Sequence, residues 1–405
     1  MVRIGPARPL WAGRGLALVG IVLVAFNLRT AVASLSPVLH QLEADIPLST
    51  ALVGLLGMLP PLCYAVFGIA TPVLARRIGL EPALIVALAA LAVGLAGRGL
   101  APSAGWLLAA SALTFSAIGV GNVLLPPLVK RYFPDRIGLL TTVYVTAMSV
   151  STFLPPLVAV PVADGAGWRV SLGMWAIVAA TALVPWIALI VHPRREIPAE
   201  LPEEVEPGLL RYAFRSPLAW ALAVVFLVSG FNAYAIFAWL PSILADTAGT
   251  TPGQGGALLA LYALMGLPAA LAVPVIAERR GRVRTLVAVG AGSLIAGYAG
   301  LIVAPAVATW LWVAFAGIGP LFFPLSLVLI NLRSRTHAGA VALSGFVQSA
   351  GYLVVALGPL AVGLLHEWTG GWTVPLLLLL ASAVPAAVAG LVVARPRFFE
   401  DERAG

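Results

Sequence analysis

Residues 16–38 read LALVGIVLVAFNLRTAVASLSPV, and Arg29 is the one charged side chain in this run. A helix needs about 20 apolar residues to cross a hydrocarbon core of about 30 Å, so the run predicts a transmembrane helix. Eleven further apolar runs follow, near residues 50–75, 82–101, 105–129, 138–162, 169–191, 217–243, 254–277, 283–304, 306–331, 339–364 and 372–394. The sequence therefore predicts an all-α membrane protein with twelve transmembrane helices.

The overall composition excludes a soluble protein. Hydrophobic residues make up 61% of the chain and charged residues 10%, with a mean hydropathy of +1.02, whereas soluble domains carry roughly 25% charged residues. The apolar runs are continuous and too long for the alternating strands of a transmembrane β-barrel. Cys63 is the single cysteine, which excludes an intrachain disulfide and a cysteine metal set. We predict no cofactor and no metal site.

The basic residues predict the orientation in the membrane. Of the 24 lysines and arginines, Arg29 lies inside a span, and Arg98 and Arg169, at the ends of predicted spans, are counted with the outer loops. The other 21 fall on the side of the two termini, at positions 3, 8, 14, 76, 77, 130, 131, 136, 194, 195, 211, 215, 279, 280, 282, 284, 333, 335, 395, 397 and 403. Because cytoplasmic loops are enriched in Lys and Arg, we predict a multi-pass protein of a bacterial inner membrane with both termini in the cytoplasm. The same bias accounts for the net charge of +8 without a nucleic-acid partner.

The N-terminus also fits a second interpretation. Three arginines precede an apolar stretch, and Ala31-Val32-Ala33 resembles the cleavage site of a signal peptide. We expect the first span to be retained, because the internal repeat described next requires it.

An internal repeat divides the chain near its middle. The longest polar segment, 193–216, has six predicted spans on each side. Four short elements recur across it at nearly constant shifts of 198 to 205 residues: Phe26-Asn27 as Phe231-Asn232, Arg76-Arg77 as Arg279-Arg280, Gly119-Val120-Gly121 as Gly317-Ile318-Gly319, and Gly167-Trp168 as Gly371-Trp372. This pattern predicts a six-helix half over 1–192, a cytoplasmic linker over 193–216, a second six-helix half over 217–394 and a cytoplasmic tail over 395–405. Two parallel repeats of this kind are typical of transporters that bind substrate between their halves.

Arg29 is the most informative residue inside the membrane. A central arginine costs roughly 2.5–3.5 kcal/mol on insertion scales, so something must offset its charge. All 16 acidic residues map to loops or span ends, which leaves Arg29 without an evident protein counter-ion. Its planar guanidinium is suited to a carboxylate-like anion, and the substrate could supply that anion. The alternative is that Arg29 snorkels or binds carbonyls and hydroxyls to lock helices together.

Other polar residues inside the spans are candidates for the same site. On an ideal helix Asn27 lies about 200° around the axis from Arg29, so both reach one cavity only at its edge or through an irregular helix. Ser344, Gln348 and Tyr352 are spaced by four residues and share a face. Besides Arg29, the predicted substrate-binding residues are Asn27, Tyr64, Asn122, Tyr144, Asn232, Tyr234, Gln348 and Tyr352. Each of them could instead form interhelical hydrogen bonds.

The sequence lacks the usual proton carriers and enzyme motifs. No Asp, Glu or His maps to the middle of a span, so transport is either uniport or exchange, or uses His40 or a proton carried by the substrate. There is no GxxxxGK[ST] phosphate loop and no HExxH, and the Gly119-Val120-Gly121 stretch lies within a helix. We therefore predict a non-enzyme.

The chain resembles the cyanate/2-nitroimidazole transporter branch of the major facilitator superfamily over nearly all of its length. The resemblance is carried by Asn27-Leu28-Arg29-Thr30, by Gly121-Asn122-Val123-Leu124-Leu125-Pro126 with Lys130-Arg131 and Phe133-Pro134, and by Trp239-Leu240-Pro241, Leu343-Ser344-Gly345, Gln348 and Gly351-Tyr352. It implies two six-helix halves and a carrier of small anions or nitro-heterocycles. The superfamily's loop motif would serve as a gate. Its residues here are Arg76 and Arg77 in the first half, where Arg replaces the expected acid, and Glu278, Arg279 and Arg282 in the second.

These observations support three hypotheses. The first is a secondary active or facilitative carrier that moves a small, cyanate-like or organic anion by alternating access, with Arg29 as the charge anchor, functioning as a monomer. The second is an exporter of neutral or weakly basic compounds such as nitroimidazoles, which requires an aromatic cavity. The third is a non-transporting sensor or scaffold, for which only 193–216 is long enough to bind a partner.

Overall fold

The computed structural model describes residues 14–191 and 207–403. Arg3, Arg8 and most of the predicted linker, 193–206, lie outside these ranges. The side chains of residues 207, 210, 279, 280, 337 and 403 lie outside them as well. Only the backbone of the predicted gate residue Arg279 is therefore described.

Within residues 14–191 and 207–403, twelve helical segments are long and apolar enough to cross a membrane, which confirms the predicted number. They begin and end within a few residues of the predicted limits, except that span 1 continues to Asp45. The spans are Gly15–Asp45, Thr50–Ile78, Leu80–Gly99, Ala104–Tyr132, Ile137–Ala166, Trp168–Val191, Pro217–Ala248, Pro252–Glu278, Val283–Val303, Thr309–Leu332, Ala338–Thr369 and Thr373–Val393. We number them 1 to 12. We call the end of the bundle at which span 1 begins and span 12 ends the terminal face, and the opposite end the far face.

Several spans are interrupted, and proline accounts for two of the breaks. Span 1 is a helix over Gly15–Ala33, a 3₁₀ turn over Ser36–Val38 that contains Pro37, and a helix over Leu39–Asp45. Span 10 joins the helices Thr309–Ile318 and Phe322–Leu332 through a 3₁₀ turn over Gly319–Leu321. Pro320 lacks a backbone donor, and its carbonyl oxygen accepts a hydrogen bond from the Ser229 hydroxyl at 2.8 Å. Span 11 consists of His337–Val355 and Leu357–Thr369, span 12 of Thr373–Ala381 and Ala383–Val393, and span 6 of Trp168–Gly173 and Trp175–Val191.

The repeated sequence elements make equivalent contacts in the two groups of spans. Gly119 of span 4 packs on the backbone of Tyr64 in span 2, and Gly317 of span 10 packs on the backbone of Tyr262 in span 8. A Cβ at Gly317 would lie 2.6 Å from the Tyr262 oxygen, so close helix packing requires glycine there. The second pair joins tryptophan and aspartate at the far face: the Trp168 indole donates to Asp45 at 2.9 Å and the Trp372 indole to Asp246 at 2.7 Å.

The described part of the linker and the tail meet at the terminal face. Residues Pro207–Ala213 form a short helix, and Ser216 then caps span 7 by accepting a hydrogen bond from the Ala219 amide at 3.0 Å. The tail forms a 3₁₀ helix over Phe399–Arg403. Within it Glu400 accepts hydrogen bonds from the backbone amides of Arg335 and Thr336, so the tail is fastened to the loop between spans 10 and 11.

Two charged residues near the ends of span 3 are buried. Arg98 was expected in an outer loop, but it belongs to the last turn of span 3 and is 1% exposed. Glu81, at the first turn of the same span, is also buried, and it accepts hydrogen bonds from Arg131 at 3.0 Å and from the Tyr132 hydroxyl at 2.9 Å. The prediction for Arg98 was wrong because hydropathy places a span end without showing which way its last side chains point.

Candidate substrate cavity

The far face is closed by direct packing between the two groups of six spans. Gly57 of span 2 faces Pro359 of span 11 and Ala238 of span 7, and a Cβ at Gly57 would lie 2.7 Å and 2.9 Å from their Cβ atoms. Gly256 of span 8 packs on the Pro156 carbonyl of span 5 in the same way, at 2.6 Å. These contacts leave no passage between the halves at these points of the far face. We call them the far-face seal.

Below the seal lies a cavity of about 400 Å³. Spans 1, 5, 7, 8, 10 and 11 line it, and on spans 8 and 10 the lining continues from Tyr262 and Gly317 to Pro274 and Val328, toward the terminal face. The lining includes Arg29, Val32, Val145, Ser149, Thr152, Phe226, Ser229, Tyr234, Phe237, Tyr262, Gly266, Pro274, Pro320, Phe323, Leu327 and Tyr352. The volume suits a small molecule that touches both halves.

Arg29 provides the positive charge in the lining. The phenol groups of Tyr64, Tyr234 and Tyr352 lie close to its guanidinium. Tyr64 stacks edge-on with the other two rings, at centroid distances of 6.5 Å and 6.2 Å. Among residues 14–191 and 207–403 no carboxylate forms an ion pair with Arg29. The cation is thus surrounded by neutral hydroxyl groups.

The wall formed by spans 7 and 10 is apolar and aromatic. Phe226, Phe237 and Phe323 all line it. The Phe226 ring meets Tyr352 edge-on at a centroid distance of 5.0 Å, and the Phe237 ring meets Tyr262 at 5.7 Å. A planar ligand can therefore place a charged or polar edge toward Arg29 and a flat face against phenylalanine.

Asn27 and Asn232 face away from this cavity. The Asn27 amide donates to Leu23 O at 2.8 Å and to Val178 O of span 6 at 3.3 Å. The Asn232 amide donates to Val228 O at 2.8 Å and to the Ser382 hydroxyl of span 12 at 2.9 Å. Both side chains are fully buried. Their position favours interhelical hydrogen bonding, the alternative to substrate contact. Asn27 and Arg29 were expected on different faces of span 1, and Asn27 indeed points to span 6 whereas Arg29 lines the cavity.

The remaining predicted binding residues divide between the cavity and its surroundings. Tyr234 and Tyr352 line it, and the buried Tyr64 packs against both of their rings. Gln348 donates to the Ser344 hydroxyl at 2.8 Å, which agrees with their common face. Gln348, Asn122 and Tyr144 are half-buried and are not part of the cavity wall.

The predicted gate residues lie at the terminal face. Arg76 and Arg77 are exposed in the last turn of span 2, and Glu278 and Arg282 are exposed near the end of span 8. In this region the buried Glu81 and the half-buried Arg131, described above, form an ion pair. Nearby, Arg14 donates to both oxygens of Asp135, at 2.6 Å and 3.2 Å, and this hydrogen bonding holds the pKa of the Asp135 carboxyl below its usual range.

Two features of the site were not predicted from the sequence. Ser229 and Pro320 meet at the cavity wall through their hydrogen bond. Arg98 borders a separate small cavity near the far-face seal. The Ser229 contact has no sequence signature, whereas the charge of Arg98 so close to an apolar run was visible and was assigned to a loop.

Comparison with known proteins gives the family. The family model described as Major Facilitator Superfamily matches residues 17–343. The chain is 33% identical to the uncharacterized transporter YycB of Bacillus subtilis over 391 residues, which cover 95% of each chain. It is 34% identical to the 2-nitroimidazole transporter of Escherichia coli over 384 residues, covering 94% of this chain and 95% of the relative. It is 29% identical to the cyanate transport protein CynX of Escherichia coli over 361 residues, covering 88% and 91%.

Solved structures show the same fold. A bacterial homologue of the human lysosomal transporter Spinster, crystallised in an inward-facing and unoccupied conformation, superimposes with a TM-score of 0.75 at 17% identity, over 98% of this chain and 99% of that one. The predicted family and fold are thereby confirmed. These proteins are transporters and not enzymes.

Proposed function

We propose that this protein, which belongs to the major facilitator superfamily, carries a small monovalent anion across the membrane by alternating access. Arg29 is the charge anchor in this proposal. The observation that carries it is a lining arginine beside neutral tyrosines, with no carboxylate paired to it among the described residues. A substrate anion would supply the missing counter-charge. Two relatives, named for cyanate and 2-nitroimidazole transport, support a small planar substrate.

The cavity geometry supports a carrier with two alternating states. With the termini in the cytoplasm, as the basic loops predict, the terminal face is cytoplasmic and the cavity extends toward that side. The anion would bind between Arg29 on span 1 and the aromatic wall on spans 7 and 10. Rocking of the halves would then separate Gly57 from Pro359 and open the far face. Because both halves touch the ligand, binding would favour the intermediate in which they close around it.

The composition of the lining bears on coupling. Its residues include no Asp, Glu or His, so we propose that the cavity does not itself carry a proton. Uniport, exchange, or entry of the anion with its own proton fit this lining. His40 is exposed near the far face. Replacing it with glutamine should leave binding intact, and an abolished proton flux would assign the coupling to His40.

The decisive experiment is substrate uptake into proteoliposomes. Cyanate and benzoate serve as anions and 2-nitroimidazole as the neutral compound, each assayed with wild type, Arg29→Gln and Arg29→Lys. Loss of one desolvated charge partner typically costs about 2–5 kcal/mol, so we expect Arg29→Gln to lower anion kcat/KM by at least about tenfold. Arg284→Gln removes an exposed charge at the terminal face and should behave as wild type. Anion uptake that survives Arg29→Gln would refute the proposal.

The second candidate is an exporter of neutral nitro-heterocycles. The aromatic wall of Phe226, Phe237 and Phe323 favours it. An exporter of this kind should move 2-nitroimidazole at a rate that neither Arg29→Gln nor added salt changes, and Phe323→Ala should reduce that rate. An effect of Arg29→Gln on both substrates would instead place them at one anion-recognising site.

A further inference from the structure

We propose that Arg98 forms a second anion-binding site, which lies between Arg29 and the far face and admits only anions of a few atoms. The inference deepens the proposed anion transport and rests on it for its role in transport.

The Arg98 guanidinium is buried and mostly without partners. Its Nη1 donates to Ala31 O at 3.0 Å, whereas Nε and Nη2 have no hydrogen-bond partner within the described residues. The Phe115 ring lies 5.7 Å from the guanidinium carbon, and no ion pair joins Arg98 to a described carboxylate. A buried cation with two unpaired nitrogens leaves a large desolvation cost that a bound anion would offset.

A cavity is present where that anion would sit. It measures about 30 Å³ and is bordered by Arg98, Phe115, Ser36 and Tyr234. A cavity needs about 10–15 Å³, measured in this way, to hold one water molecule. The space is therefore large enough for a halide or a linear triatomic anion and too small for an aromatic carboxylate. This difference in size separates it from the main cavity of about 400 Å³.

The internal repeat argues against a purely structural need for arginine. Gly94 packs on Thr114 as Gly297 packs on Ala316, so residues of span 9 correspond to those of span 3 at a shift of about 203. The position equivalent to Arg98 is then Leu301, which is buried at 1% exposure. A leucine fills the same place in the second half, so packing of this helix end does not require a cation.

The location of the small cavity gives it a role in transport. Gly57 and Ala238, which form the far-face seal, also border it, and Tyr234 borders both cavities. Span 1 carries Arg29 and, two residues later, the Ala31 carbonyl that binds Arg98. When the seal opens, an anion would meet Arg98 first and pass along Tyr234 to Arg29.

The test measures anion-dependent melting of the purified full-length protein. Sodium cyanate, bromide and benzoate are titrated against sodium gluconate at equal ionic strength, with wild type, Arg29→Gln, Arg98→Gln and the double variant. Each occupied site raises the melting temperature by mass action. In Arg29→Gln we expect a residual shift with cyanate and bromide and none with benzoate. Adding Arg98→Gln should abolish that residual shift. Arg169→Gln, an arginine at the same face paired with Asp45, is the matched control and should leave it intact.

Each result decides between the proposals. A residual cyanate shift that persists in the double variant, or no cyanate or bromide shift in Arg29→Gln, would overturn the Arg98 site while leaving the role of Arg29 standing. A full anion shift in Arg29→Gln that Arg98→Gln removes would overturn the anchoring role of Arg29 and keep the Arg98 site. If Arg98→Gln does not fold, Arg98→Leu copies the residue of span 9, and it should melt without anion dependence in the Arg29→Gln background.

Discussion

Replacing Gly57 with alanine should shift the protein toward the state in which the far face is open. The added Cβ would lie 2.7 Å from the Pro359 Cβ and 2.9 Å from the Ala238 Cβ, and neither atom belongs to a flexible side-chain end. The helices would have to separate by about 0.7 Å to restore an ordinary contact of 3.4 Å. Overpacking of this kind costs about 1–3 kcal/mol. The cost applies only where the seal is closed, so the equilibrium should move about 5- to 150-fold toward the open state.

The shift can be measured as a distance between spin labels at the far face. Ala44→Cys and Glu367→Cys, both at exposed positions on opposite halves, are introduced after Cys63→Ala removes the native thiol. Double electron–electron resonance between spin labels on the two cysteines then gives the populations of short and long distances. We expect the long-distance population to increase in Gly57→Ala. Gly68→Ala is the matched control in the same helix, because no atom lies within 4 Å of its added Cβ.

Identical distance distributions in Gly57→Ala and Gly68→Ala would contradict this prediction. That result would mean that the glycine contact is not what holds the far face shut. A long-distance population that increases equally in both variants would point to a loss of helix stability in place of a broken seal. The melting temperature of each variant in detergent separates these two cases.

Two further predictions concern residues outside the cavity. Asn27→Ala and Asn232→Ala should each lower the free energy of unfolding by about 1–3 kcal/mol, because each removes two hydrogen bonds from a buried amide. Thermal melts should show this loss. An unchanged KM for uptake would confirm that neither residue touches the substrate. Burial raises the pKa of the Glu400 carboxyl, but hydrogen bonds from Arg335 and Thr336 outweigh it and the net shift is downward. Because the pKa is lower in the folded protein, ionised Glu400 stabilises the docked tail at pH values above its unfolded pKa of about 4.3, and this stabilisation is lost as the pH falls through the folded pKa. Proteolysis of the tail should therefore increase below about pH 4. Glu400→Gln should show the increase already at pH 7, whereas the exposed Glu278→Gln should not.

The spans and the central cation could be predicted because their signals are local. A hydrocarbon core imposes a length on every apolar run, so the number of spans follows from hydropathy alone. Arg29 is conspicuous for the same reason, as a charge within an apolar run. The structure places it in the cavity wall, as its chemistry indicated, whereas its role with a substrate remains the proposal to be tested.

The rest depends on which face of each helix meets which neighbour, and periodicity gives that only weakly in lipid. Because most residues on every side of these helices are apolar, the sequence around Asn27 does not indicate that its side chain points to span 6 and not to the cavity. The prediction for Arg98 was wrong for a related reason. Near a span end, a charge that snorkels into a loop and one that turns inward have the same sequence context, and only packing against Ala31 and Phe115 distinguishes them.

The repeat offers a criterion that composition does not. Where the halves agree, as in Trp168 and Trp372 with their aspartates, the shared residues build the scaffold. The shift that relates Asn27 to Asn232 relates Arg29 to Tyr234, and the corresponding shift relates Arg98 to Leu301. Both deviations place a cation in the first half where the second half is neutral, and both cations border a cavity. Helix packing alone does not require the two halves to differ at these two positions. An anion pathway lined by the first half does require a cation there.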